Sequence, residues 1–387
     1  MDKMITRDIA YIGVDDTDLD LFESQYIIPN GISYNSYLIK DEKIAIMDTA
    51  DNRKIDEWLG NLRTALDGRT PDYLVVQHME PDHAGCIAEI LEEYPAIKIV
   101  ASARAIQMMP QFFEDKDFSH NTIAVKEGDT LSLGEHTLQF FMAPMVHWPE
   151  VMVTYDKKDK VVFSADGFGK FGALSHEEDW ACEARRYYFN ICGKYGGPVQ
   201  ALLKKLATLD VECICPLHGP ILKENLGYYI GLYDTWSKYD VETEGVFIAY
   251  ASIHGGTAAV ANVMAEILRE KGAKKVSVAD LSRDDMAEAI EDAFRMDKMI
   301  VAAASYDGGV FPVMHDFLHH LQIKAYQKRR VGIIENGSWA PCAGRVMRGM
   351  LEQMKDVEIA EPMVTILSRM KQSDRAALEA LADAILK

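Results

Sequence analysis

The chain has 387 residues, 48% hydrophobic and 26% charged, an ordinary globular composition with room for two domains at roughly 100–200 residues each. Its 60 acidic residues against 41 basic ones give a net charge of −19, which argues against nucleic acid or an anionic membrane as the main partner. No apolar run approaches the roughly 18 residues a membrane helix needs, and the start, MDKMITRDIAYIGVDD, lacks the apolar core of a signal peptide, so a cytoplasmic protein is expected.

Taken in chain order, the first part reads as short strands with intervening helices. Strands are predicted at 33–40 (SYNSYLIK), 43–49, 73–78, 98–102, 138–144, 151–156 and 160–166, and helices over 52–66, 84–94, 104–113 and 179–208. The polar stretch SKYDVETEG (237–245) reads as a linker, giving domains at 1–243 and 244–387. From 246 onward strands and helices alternate strictly, with VFIAYAS, KVSVADLS, MIVAAAS, RVGIIENG and VEIAEPMVTIL as five strands. In VMHDFLHHL, Val313, Phe317 and Leu321 recur every four residues with Met314 and Leu318 beside them, which is helical spacing. Such alternation makes a doubly wound parallel sheet, which binds ligands at the carboxyl ends of its strands.

The six cysteines, Cys86, Cys182, Cys192, Cys213, Cys215 and Cys342, are scattered and include no CxxC pair. They make neither a disulfide framework nor a rubredoxin-like iron site, and they fit a reduced compartment. Cys213 and Cys215 alternate on one strand face and read as buried small residues.

The segment HMEPDH (78–83) follows the apolar run YLVVQ and holds four potential metal ligands in six positions. His78 and Glu80 lie two apart on an extended segment, hence on one face, while Pro81 keeps Glu80 out of a helix. Asp82 and His83 fall on the turn before the next helix. His147, Asp166 and His218 occupy equivalent places, each after an apolar run and before a turn containing Gly or Pro. A lone histidine of this kind is ordinarily hydrogen-bonded or solvated, and His120, His136, His176, His315, His319 and His320 are read that way. Four imidazoles and three carboxylates together match two metal ions with one bridging carboxylate. The carboxylates tilt the set toward iron or manganese.

In the second part, Ser252, Ile253, His254, Gly255, Gly256 and Thr257 form a strand-to-helix loop suited to phosphate, where backbone N–H groups and the helix dipole point at an anion. Two further strand-end loops follow. ASYDGGVFP carries Ser305, Tyr306, Asp307 and Gly308, and ENGSWAP carries Asn336, Gly337, Ser338, Trp339 and Ala340. Both offer an aromatic and backbone donors, as a flavin ring needs. No βαβ unit carries G-x-G-x-x-G, so direct NAD binding is not expected. The basic run KAYQKRR (324–330) reads as a helix end complementing its dipole, with docking of an acidic carrier as the alternative.

HMEPDH, His147, Asp166 and His218 resemble the metallo-β-lactamase-like superfamily, which usually shows H-x-H-x-D-H and binds zinc. Glu80 in place of the second histidine, followed by a flavodoxin-like domain, resembles the flavodiiron proteins, also called A-type flavoproteins. The spacing agrees, with 63 residues between His83 and His147 and 18 between His147 and Asp166. The segments GISYNSYLIK, HWPE, FSADGFG, EARRYYFNICGKYG and PLHGPIL are also similar to that family. The resemblance implies an αββα metallo-β-lactamase-like sandwich followed by a five-stranded flavodoxin-like domain. It implies that His78, Glu80 and His147 hold one iron, that Asp82, His83 and His218 hold the other, and that Asp166 bridges. It implies FMN on the three loops and Tyr195 as a proton source. It further implies reduction of dioxygen to water, of nitric oxide to nitrous oxide, or of both. The donor would be rubredoxin or a similar carrier, and the assembly a head-to-tail homodimer or a dimer of such dimers. The alternatives are a zinc-dependent hydrolase with a regulatory flavodoxin domain, against which Glu80 stands, and a pure electron carrier with structural metals.

Overall fold

The computed structural model describes residues 4–114, 116–118 and 120–387. Its contacts divide the chain into two compact units. One takes the chain up to Tyr188 and Gly197–Asp234, and the other takes Phe189–Gly196 and Thr235–Lys387. The seam is therefore not a single cut. Phe189–Gly196 joins the second unit, where the Phe189 ring stacks on Phe294 with centroids 4.3 Å apart.

The first unit is a sandwich of two sheets. One runs Ile9–Tyr11, Tyr37–Lys40, Ile44–Met47, Tyr73–Val76, Lys98–Ser102, Thr122–Val125; the other runs Thr130–Ser132, Thr137–Met142, Met152–Asp156, Val161–Phe163, Cys213–Cys215. The two sheets share one core, to which Tyr37, Met47, Val75 and Val100 come from the first and Phe140, Met152, Phe163 and Cys215 from the second. Each such large apolar side chain contributes about 1.5–3 kcal/mol by leaving water. Helices cover the outside: Ile55–Leu66 turns Trp58, Leu59, Leu62 and Leu66 inward. Cys213 and Cys215 lie on one buried strand face with their sulfurs 3.8 Å apart.

Among the departures from the predicted elements, two long segments of the chain are each split in two. SYNSYLIK is two strands rather than one, Ile32–Tyr34 pairing with Val14–Asp16 and Tyr37–Lys40 entering the large sheet. The break falls at Asn35, whose side-chain amide donates to the carbonyls of Pro216 and Gly219 at 2.8 Å and whose backbone N–H binds the Leu217 carbonyl. The helix expected over 179–208 is likewise two, Trp180–Ile191 and Gly196–Leu206, parted by a short 3₁₀ turn at Gly193–Tyr195. Gly196, Gly197 and Pro198 favour a fresh helix start there.

In the second unit the sheet order is Val276–Asp280, Thr243–Ala251, Met296–Tyr306, Arg330–Asn336, then Glu358–Ile359 and Val364–Ile366, all paired parallel, with the short strand Gly309–Val310 added antiparallel to Met296–Tyr306. This 2-1-3-4-5 order is that of flavodoxin-like sheets. The fifth strand is split around Pro362, which has no N–H to give the ladder. Helices Gly256–Glu270 and Arg375–Ile385 pack on one face against Ile248, Ile300 and Ile334. Phe247 points the other way and meets Phe317 of helix Pro312–Ile323, whose Met314, Phe317, Leu318 and Leu321 are buried. The basic run after this helix is structural. Arg329 is buried and donates to the carbonyls of Met296, Phe294, Tyr239 and Asp240, while Lys324 is buried and donates to the Asn190 carbonyl. Docking of a carrier on those two cations is thereby set aside. No described helix is long and apolar enough to cross a membrane.

Candidate metal centre and flavin cavity

Strand ends place the seven residues of the first unit. His78 lies two residues past Tyr73–Val76, and Glu80 opens the short turn Pro81–Ala84 that carries Asp82 and His83. His147 sits between Thr137–Met142 and Met152–Asp156. Asp166 and His218 each follow by three residues the parallel strands Val161–Phe163 and Cys213–Cys215. Ala165 adopts φ 49 directly before Asp166, a left-handed conformation that a non-glycine residue adopts at a cost of roughly 1–2 kcal/mol. Gly219 supplies φ 79 directly after His218, where a Cβ would stand 2.7 Å from Lys170 Cγ.

All seven meet. His78, Glu80, His147 and Asp166 form one group, and Asp82, His83 and His218 form another, each with its ligand atoms within 4.8 Å of one another. Asp166 touches both. Its Oδ2 is 3.2 Å from His78 Nε2 and 3.4 Å from His147 Nε2, while its Oδ1 is 3.3 Å from His83 Nε2 and 3.6 Å from His218 Nε2. Glu80 Oε2 lies 3.1 Å from both His78 and His147, and Asp82 Oδ2 lies 3.2 and 3.3 Å from His83 and His218.

The residues fit a pair of cations on their own chemistry. Both carboxylate oxygens of Asp82 and of Asp166 are buried without a hydrogen bond. A buried carboxylate is normally hydrogen-bonded, so such groups call for an ion. His83 and His218 face each other through Nε2 at 3.1 Å, an arrangement that one proton between the rings, or a cation taking both lone pairs, can satisfy. Two rings are held so that Nε2 points at the site. His78 Nδ1 lies 2.8 Å from Glu150 Oε1, and His218 Nδ1 lies 2.7 Å from the Ser33 carbonyl. With a cation in place, each ring would keep its proton on Nδ1 and offer a lone pair at Nε2.

The electrostatics agree. Burial opposes a charge on His78, yet Asp166, Glu150 and Glu80 hold its pKa well above the imidazole range. Burial opposes a charge on His147 too, and Asp166 and Glu80 carry it up to about 9. Burial raises the pKa of Glu80 and Asp166, but the facing histidines outweigh it and hold both well below the carboxylate range. The field at the site favours positive charge. A cleft of about 260 Å³, lined by Phe22, Glu23, Tyr34 and Arg53, reaches Glu80 and Asp82 from outside.

Tyr195 belongs to the second unit. It closes the 3₁₀ turn Gly193–Tyr195, and its ring meets the Lys194 ammonium at 5.8 Å. His136, read as a hydrogen-bonded or solvated histidine, is 0% exposed and pairs with Asp156 at 3.0 Å.

The second unit holds a cavity of about 650 Å³ at the carboxyl ends of its strands. All the residues read as flavin-binding line it except Gly255, which caps helix Gly256–Glu270 at φ 82. A Cβ on Gly256 would stand 2.4 Å from the Ser368 carbonyl, so only glycine lets the loops close. Ser252 Oγ is buried without a partner at the start of the phosphate loop, as expected of a group awaiting an anion's oxygen. Cys342, Ser368 and Arg369 also line the cavity and were missed by sequence reasoning. Ser368 and Arg369 follow strand Val364–Ile366, so the strand-end rule that found the other loops points to them too.

A family described as ODP family beta lactamase matches residues 32–219. An uncharacterized protein of Methanocaldococcus jannaschii is 30% identical over 90% of this chain and 89% of its own length. An anaerobic nitric oxide reductase flavorubredoxin of Escherichia coli is 28% identical over 88% of this chain and 73% of its own. Among solved structures, rubredoxin oxygen:oxidoreductase from Desulfovibrio gigas superposes with a TM-score of 0.92 at 27% identity, covering 99% of this chain and 97% of that one. A variant of the flavo di-iron protein of Thermotoga maritima gives 0.87 at 25% identity, covering 98% and 95%. A carboxylate-bridged pair of ligand groups in a metallo-β-lactamase-like unit, joined to a flavodoxin-like unit and matched by such relatives along nearly its whole length, places this chain in the flavodiiron protein family of oxidoreductases.

Proposed function

We propose that the protein reduces dioxygen to water, nitric oxide to nitrous oxide, or both, at two irons fed with electrons through FMN. The observation that carries this reading is Asp166, whose two oxygens face the two ligand groups separately at 3.2–3.6 Å. His78, Glu80 and His147 would hold one iron, Asp82, His83 and His218 the other, and Asp166 would bridge. FMN would occupy the cavity of about 650 Å³, with its phosphate toward Ser252, Gly256 and Thr257 and its ring between the loops of Tyr306 and Trp339. When bound, the irons supply binding of a small oxidant and electron transfer to it, and FMN accepts and passes one or two electrons.

The chain's own residues do the remainder. Glu150 and the Ser33 carbonyl orient two imidazoles. Glu80, Asp82 and Asp166 bring three negative charges that offset most of the charge of two divalent ions. Three carboxylates among seven ligands favour iron over zinc. Phe22, Tyr34 and Arg53 border the cleft that gives a small molecule access to Glu80 and Asp82. Tyr195 is retained as a proton source only through the family resemblance.

With no CxxC pair, the chain has no rubredoxin site of its own. The donor in this reading is a rubredoxin or similar small carrier, in line with the name of the Desulfovibrio relative. A head-to-tail homodimer, or a dimer of dimers, would bring the flavin of one copy to the irons of the other. Domains at 1–243 and 244–387 and a cytoplasmic location complete the reading. Its test is metal analysis with turnover: about two irons per chain, with reduced rubredoxin driving consumption of dioxygen or nitric oxide. Two zincs and hydrolytic activity would replace it with the hydrolase reading.

A further inference from the structure

The two metal positions are not built alike beyond their ligands. Behind the first group stands Glu150, 1% exposed, whose Oε1 accepts from His78 Nδ1 at 2.8 Å and from the Met79 backbone N–H at 2.9 Å. Ser102 Oγ donates to the Glu150 carbonyl at 2.8 Å, tying the residue to the end of strand Lys98–Ser102. The Trp148 ring meets the His78 ring edge-on, with centroids 5.2 Å apart and planes at 89°. His78 is therefore gripped at Nδ1 by a carboxylate and at its ring by an indole.

Behind the second group the support is weaker. His218 Nδ1 has only the neutral carbonyl of Ser33 at 2.7 Å. His83 Nδ1 is buried with no partner at all. A carboxylate that accepts from a ligand's far nitrogen fixes its tautomer and raises its basicity, and losing such a partner typically weakens metal binding about 10–100-fold.

We propose that Glu150 is a positioning residue that locks His78 as an Nε2 ligand and makes the His78–Glu80–His147 position the tighter of the two. The inference rests on the two-metal reading. Flavin-loaded, metal-free protein is titrated anaerobically with Fe(II) against a chromophoric chelator, and ⁵⁷Fe Mössbauer spectra are taken at full loading. Wild type must first bind two ions, in two resolved steps. Failure to bind two ions sinks the metal reading itself, whereas binding both with one affinity sinks only the inference.

Glu150→Ala is expected to weaken one step about 10–100-fold while the other holds, with one of two iron subspectra altered. Glu150→Gln keeps an oxygen that accepts from both N–H groups but loses the charge, and is expected to restore only part of the lost affinity. Equal weakening of both steps, unchanged binding in Glu150→Ala, or no recovery in Glu150→Gln would overturn the assignment. Thermal unfolding of the metal-free variants separates a general loss of structure from loss of one ligand, because a folding defect weakens both steps together.

Discussion

Asp166→Asn is the substitution whose consequence the geometry fixes most fully. The amide has nearly the carboxylate's shape, so packing around this 0% exposed side chain is kept. One of its two arms becomes an NH₂ donor, which cannot bind a cation, and the negative charge is lost. The carboxylate lies 3.2–3.6 Å from four Nε2 atoms, two in each group, so neither position escapes. Leaving a buried charge without its partner costs about 3–5 kcal/mol. At 1.4 kcal/mol per tenfold, metal affinity should fall by roughly 10²–10³·⁵. The assay is iron content after gel filtration, backed by chelator competition, with flavin absorbance as an internal standard because the flavin cavity lies in the other unit. The expected result is flavin-replete protein that has lost both irons. Asp166→Asn retaining one ion at wild-type affinity would refute the bridging role, and retaining both would refute the ligand assignment.

Other substitutions probe other links. Glu80→Ala should abolish gas turnover while leaving the yellow flavin bound, as read by oxygen consumption and visible absorbance. Gly256→Val should expel FMN and leave iron content unchanged, because its side chain would have to pass the Ser368 carbonyl that already stands 2.4 Å from a Cβ there. The His136–Asp156 pair gives a pH signature. Burial opposes the charge on His136, but the hydrogen bond and charge of Asp156 outweigh it and raise its pKa. A raised folded pKa adds stability that is fully present below the unfolded value of about 6.5 and is lost as pH climbs through the folded one. His136→Gln should therefore destabilise more at pH 6 than at pH 9 in urea unfolding; an equal loss at both pH values would show that the pair's charge contributes nothing.

The metal site was legible because its ligands are local punctuation, polar residues capping apolar runs, and strand direction carries such residues to one rim. HMEPDH, His147, Asp166 and His218 needed no knowledge of which strands are neighbours. Glu150 and Ser33 were not legible as functional, since their roles exist only through contacts 72 and 185 positions away in sequence. The break at Asn35 has the same origin. SYNSYLIK alternates well enough to read as one strand, and only the distant carbonyls of Pro216 and Gly219 show why the chain turns there. Alternation alone gave five parallel strands in the second unit but not the split at Pro362, a residue that should have marked it. The small strands Ile9–Tyr11 and Thr122–Val125 were also missed, being short edge strands whose pairing is decided by their neighbours.

Gas consumption by iron- and FMN-loaded protein, with reduced rubredoxin as donor, tests the whole arrangement at once. Sustained uptake of dioxygen or nitric oxide, absent when zinc replaces iron, is the outcome expected of a flavin-fed iron pair. A protein carrying its full complement of iron and flavin, reduced by its donor and yet inert toward both gases, would contradict it.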